Sequence, residues 1–448
     1  MLSADVTIDV ATGQTLTYTN PYENGLSLGA NTLTLSGGGT FNNTNALVLN
    51  NADSLLSLAG ILTIGDVEGT AAANAGKGIQ VSSSATLGDY DLSAESYLAI
   101  AANQTLAGQL NLQSNGELNI SGDGEYTGDI ALAGGKLNAV DDLTLAGTVS
   151  ISASSEIIVP TGSTLVLNQT GGMSLGGTTL TLSGGGNFQS VGLDLNDADS
   201  KLLLNSITVD SVSTSADSSG LDIDADSTVT SLSVANITPV AIADGISLSG
   251  AITVTAGSIK LAETGTLASS ISMSGGVLDA DNSLTVSGAL TQSGDIEIDV
   301  LTDKTLTYSG TAISLGANTV TLSGGGSLVS GGLTLNDEDS KLLLNSITVD
   351  SVSTSVDSSG LDVDADSTVS SLSVAHITPV SIASGKTLSG AITVTAGSIK
   401  LAETGTLASS ISMSGGTTLD ADNSLTVSGA LTQSGDIEID VLLSLIHI

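Results

Sequence analysis

The chain of 448 residues has no cysteine, no arginine and no tryptophan, and it has only two phenylalanines and two histidines. Without cysteine there are no disulfides, thiolate metal sites or cysteine nucleophiles. Eight lysines stand against 46 acidic residues, for a net charge near −38. So few cations cannot neutralise a phosphate backbone, which excludes nucleic acid and anionic membrane surfaces as partners. Aromatics make up 2% of the chain, so the core that its 40% apolar content allows must be built of Leu, Ile, Val and Ala. No run approaches the length of apolar sequence that a membrane helix needs. The opening MLSADVTIDV has neither a basic nor an apolar signal region, so an export signal is expected to lie outside this sequence.

What is present is repetition. KLLLNSITVDSVSTS occupies 201–215 and again 341–355, and the whole of 248–276 recurs unchanged at 388–416. A diverged third copy precedes them: NGLSLGANTLTLSGGGTF at 24–41 matches GGMSLGGTTLTLSGGGNF at 171–188. The phrases TIDV, EIIV and EIDV near positions 8, 157 and 298 open the copies, giving units over 1–156, 157–297 and 298–441. The second copy of GDIEIDV, 435–441, should open a further unit at Leu442. Instead the chain ends in LSLIHI, a hexapeptide that resembles a translated sequencing-library adapter. Residues 442–448 are therefore expected to be a non-native tail on a fragment.

A shorter rhythm runs inside each unit. Leu110, Ile130 and Val149 form one column of nearly even spacing, and Leu112, Leu132 and Ile151 form a second. Leu118, Leu137 and Ile157 form a third; Leu106, Tyr126, Leu145 and Leu165 form a fourth. Each turn reads as two short alternating segments separated by Gly-, Ser-, Asn- or Asp-rich breaks, the pattern of strands and turns. Short strands that return to the same column at a period of about 19–20 residues predict an all-β fold, a single-stranded parallel β-helix or β-solenoid. Inward Leu and Ile would stack on themselves, and outward positions are Thr, Ser, Asn and Asp. A tandem array of immunoglobulin-like sandwiches would need longer units and core aromatics. Twenty-two coils at the strand spacing would make a rod on the order of 100 Å.

The stretch 118–145, LNISGDGEYTGDIALAGGKLNAVDDLTL, resembles the repeats of bacterial autotransporter passengers, through Leu118, Ile120, Ser121, Gly122, Tyr126, Thr127 and Gly128. The coil length is similar to that of filamentous-haemagglutinin-type adhesins. The resemblance implies a right-handed helix displayed outside a bacterial cell, extracellular or associated with the outer membrane. This chain lacks the C-terminal membrane barrel of an autotransporter, which leaves the secretion route open.

Candidate chemistry is sparse. His376 in VAHITPV is Asn236 in the preceding copy, and His447 falls in the tail, so no catalytic triad or His metal site assembles. No catalytic residue, cofactor site or metal site is assigned. Asp222, Asp224 and Asp226 in LDIDADST, repeated as Asp362, Asp364 and Asp366 in LDVDADST, alternate along a strand and offer oxygen ligands of the kind Ca²⁺ takes. They lack the Gly and Glu of an EF-hand loop, so weak calcium binding is the most they suggest. Asn119–Ser121 and Asn236–Thr238 are chance N-x-S/T triplets. The stretch 66–80 reads as a loop extension on one coil. These features point to a non-enzymatic structural repeat, the stalk of a large bacterial surface or secreted adhesin, whose host or surface glycans or proteins would be bound by regions outside this segment. The alternative is a carbohydrate-binding or carbohydrate-active β-helix, which would need a long loop bearing aromatics or carboxylate pairs.

Overall fold

A computed structural model describes residues 1–19, 25–60, 63–423 and 426–441. The tail 442–448, with His447, lies outside the described residues. Every described element is a β-strand, every strand pairing is parallel, and the strands stack as a β-solenoid. The chain divides into two compact units, Met1–Thr230 and Ser231–Ile448.

In each unit the coil has three strand positions rather than the two visible in the sequence. In one coil of the first unit they are Glu117–Ser121 on the first face, Glu125–Tyr126 on the second and Asp129–Ala133 on the third. The middle strand has one inward residue, Tyr126, too little for an alternation to register. In other coils the second and third faces are run together as one bent strand, as in Thr105–Gln113. A left-handed Gly108 (φ 136°) makes the bend there. Each unit carries eleven first-face strands among its described residues.

Inward side chains stack in register, as the sequence columns require. Leu110 pairs with Ile130 and Ile130 with Val149; Leu118 pairs with Leu137 and Leu137 with Ile157. One column is corrected: Leu145 stacks under Leu167, and Leu165 stacks on Leu143. The following turn slides the strand by one full side-chain period, which keeps the inward face inward. The coil length also varies more than the sequence columns suggest. Ile157 pairs with Leu182, and Ile8 with Leu35, both longer steps than the basic period, the extra residues being taken up at the corners. The 66–80 stretch is such a corner extension: it joins Val67–Gly69 to Gly78–Val81, and Leu56 pairs with Ile79 across it.

Two polar devices hold the corners. The phrase LSGGG recurs because the chain there crosses close to the coil before it. Gly184 and Gly324 have φ of 110° and 98°, and a Cβ on Gly184 would lie 2.5 Å from the carbonyl oxygen of Val159. The second device links N-x-x-x-S to a left-handed glycine one coil earlier. Asn50, Asn196 and Asn336 accept the backbone N–H of Gly29, Gly176 and Gly316 at 3.1, 2.9 and 2.8 Å. Ser54, Ser200 and Ser340 donate to the carbonyls of those same glycines, and Ser200 also accepts the N–H of Asp197 at 3.0 Å. One coil thus satisfies both backbone groups of a single residue in the coil before it. Ser200 is fully buried. Ser200→Ala removes the partner of the Asp197 N–H and of the half-buried Gly176 carbonyl and should cost about 1 kcal/mol. A urea melt checks it; an unchanged midpoint would refute the clamp.

Candidate functional site

The motif behind the family resemblance has a packing role here. Tyr126 is completely buried in the second-face column, and its Oη donates to the carbonyl of Gly108 at 2.8 Å. Burial pushes its hydroxyl well above the ordinary tyrosine range. Gly128 follows closely because a Cβ there would lie 2.7 Å from that hydroxyl and 1.8 Å from Gly108 O. Tyr308 and Gly310 repeat the arrangement, with Tyr308 Oη accepting the Leu290 N–H at 3.1 Å. The Tyr-x-Gly signature is therefore a way to fit a ring into a mostly aliphatic core. It does not present the phenol as a reactive group.

The two copies of the Asp-x-Asp-x-Asp stretch do not converge. Asp222 is held by Lys201, and Asp362 lies 2.5 Å from Lys341. Asp224 and Asp364 are exposed, and Asp366 Oδ1 accepts the backbone N–H of Thr387 at 2.8 Å. Among the described residues no three His, Cys, Asp or Glu side chains come together in a group able to hold a metal. Lys201 and Lys341 lie one coil upstream, across from Gly220 and Gly360, and reach diagonally to Asp222 and Asp362, two residues further along the strand on the same face. His376 is half-exposed, with Nδ1 3.9 Å from Asp357 Oδ1. No metal-ligand set adjoins it among the described residues.

These ion pairs belong to a wider pattern on the first face. Lys136 meets Glu156 at 2.9 Å, Lys260 meets Asp279 at 3.1 Å and Lys400 approaches Asp420 at 3.8 Å. Each is a pairing between stacked coils, partly exposed, and contributes about 0–1 kcal/mol. Beyond the lysines carboxylates stack on carboxylates: Asp279 pairs in register with Asp299, and Asp420 with Asp440. Desolvation first, then neighbouring carboxylates, raise the pKa of Asp279, Asp299 and Asp420 above the ordinary value.

This has a pH consequence of definite sign. A carboxyl group whose pKa is raised by folding binds protons more readily in the folded state, so stability rises as pH falls. The gain builds between the raised folded values and the ordinary carboxylate value of about 4. Relief of the −38 net charge acts in the same direction. The melting temperature should therefore rise when the pH is lowered from 7 toward 5. A scanning-calorimetry series showing a steady fall over that range would contradict this account.

The surface depressions are open to solvent. One of about 390 Å³ is lined by Ser346, Thr348, Asp366, Thr368, Thr387 and Ser389, and one of about 420 Å³ by Asp123, Glu125, Asp142, Leu143 and Thr144. Neither has an aromatic platform or a histidine in its lining. No helix of the described residues is long and apolar enough to cross a membrane. No known protein family, characterised protein or solved structure matches this chain at significant similarity.

Proposed function

We propose that this chain is a structural repeat segment, the shaft of a large bacterial cell-surface or secreted adhesin-like protein, without catalysis of its own. The observation that carries the reading is the closeness of its internal copying. Ser247–Val254 and Thr387–Val394 are the same strand, with the same alternation of buried and exposed positions, built from nearly the same residues. The coils that follow, Ser258–Leu261 and Ser398–Ala402, repeat that correspondence. A catalytic or ligand site is a constellation used once, and duplicating the whole surface with it serves no chemistry. A spacer does tolerate such duplication, because its task scales with the number of coils. The scarcity of aromatics and the wide acidity suit a solvated shaft that resists association.

Removing residues 201–340, one long copy, tests this. A shaft should remain folded and shorten by about 34 Å, seven coils at the strand spacing. Contour lengths from electron microscopy read the change. Collapse of the shortened protein, or turnover of a polysaccharide by the full chain, would overturn the reading.

A further inference from the structure

The charge is unevenly distributed within the second unit. Its first face carries the lysine and carboxylate ladder. Its third face carries, at one outward position per coil, an unbroken run of hydroxyls in register: Ser314, Thr334, Ser353, Ser373, Thr393 and Ser412. A second, adjacent column is also uncharged, with Ser351 paired to Ser371 and Ala391 to Ser410. Thr393 and Ser412 are exposed, and Thr334 and Ser353 lie 3.3 Å apart, oxygen to oxygen. The first unit does not do this. Its third face is interrupted by stacked Glu68 and Asp91 and by Asp194. The lattice is thus a property of one unit, on a protein whose charge is −38.

A single hydroxyl facing water carries almost no affinity, because a bond to a partner replaces an equally good bond to water. A lattice of hydroxyls collects many such contacts only from a partner that is rigid and periodic in its turn. Two features narrow that partner further. No charged side chain stands in either column to hold a hydrated counterion at the surface. No aromatic ring is available there for stacking on sugars, since Tyr308, like both phenylalanines, is buried in a column. What remains is a neutral lattice of hydrogen-bond donors and acceptors, which a hydroxyl matches in either sense. The rungs repeat at about 4.8 Å, fixed by backbone pairing rather than by mobile side chains.

We propose that the third face of the second unit is a surface that binds ordered water at the face of an ice crystal. The proposal stands apart from the shaft reading, since a shaft without this property remains a shaft. The test is partition of the full chain into a slowly growing ice body, with Ser353→Lys/Thr393→Lys alongside it. Circular dichroism and melting confirm that the variant is folded; if it is not, the single Ser373→Lys replaces it. The wild-type chain should be enriched in the ice, and the folded variant should fall about tenfold. Exclusion of the wild-type chain from ice overturns the proposal, as does equal uptake of chain and folded variant. Retention of the wild-type chain on insoluble cellulose, with exclusion from ice, would overturn it in favour of a neutral glycan.

Discussion

Deleting residues 136–155 should leave stability nearly unchanged, and deleting residues 136–145 should destabilise the protein strongly. The first deletion removes one whole coil. Ile157, which stacks on Leu137, then stacks on Leu118, and Glu156 takes the place of Lys136. Every inward column loses one member and closes, so the melting temperature should change by only a few degrees. In a solenoid each coil meets only its neighbours, and removing one subtracts one coil and one interface. The second deletion takes out Lys136–Ala139 and Leu143–Leu145 but keeps Val149–Ala153. The third face then carries a rung that the first and second faces lack, and Leu118 and Tyr126 lose the side chains that cover them. The melting temperature should fall by about 10 °C or more, with dye-binding apolar surface exposed. Equal tolerance of both deletions would mean that the coil is not the unit of packing.

Replacing Leu322 by aspartate should have the largest effect of any single substitution considered. Leu322 is completely buried, stacked between Ile298 and Leu344. A carboxylate there has no cation within the column and no route to water without opening the coil. The expected loss is about 4 kcal/mol or more, against about 2–5 kcal/mol for Leu322→Ala. Thr321, its neighbour in the strand, points outward, and Thr321→Asn should stay within about 0.5 kcal/mol. Denaturant melts of the three variants measure the contrast. Comparable losses at 321 and 322 would contradict the inward–outward alternation.

Much of this fold was legible in the sequence, because a solenoid writes its period directly into the positions of Leu and Ile. The columns through Leu110, Leu112 and Leu118 are in register as their spacing requires. What spacing could not supply was phase at the corners. Leu165 stands one ordinary period beyond Leu145, yet the turn between them is longer by a pair, and Leu145 meets Leu167. The second-face strand at Glu125–Tyr126 is too short to leave an alternation to read. The polar clamp through Asn196 and Ser200 was present in the sequence as N-D-x-D-S. Its partner is a backbone glycine one coil earlier, which only the stacked structure identifies.

The candidate site was less legible for the same reason. Asp222 and Asp362 looked like free ligands because strand periodicity says which side a carboxylate faces, not which lysine of the neighbouring coil is beside it. The hydroxyl lattice was invisible in one dimension. Ser314, Thr334, Ser353 and Ser373 are scattered through unremarkable phrases, and only the register of successive coils places them in a line.

The most direct test of the account is the distance between stacked positions, and the absence of cysteine makes it clean. Thr266 pairs with Thr285, and Thr285 with Thr307, on the second face. Introducing cysteines in pairs and attaching nitroxide spin labels puts one pair on adjacent coils and one pair two coils apart. The backbone separations should be about 4.8 Å for 266/285 and about 10 Å for 266/307. Strong dipolar broadening in the first pair and weaker broadening in the second is the result the β-solenoid predicts. No broadening between positions 266 and 285 in the folded protein would contradict it.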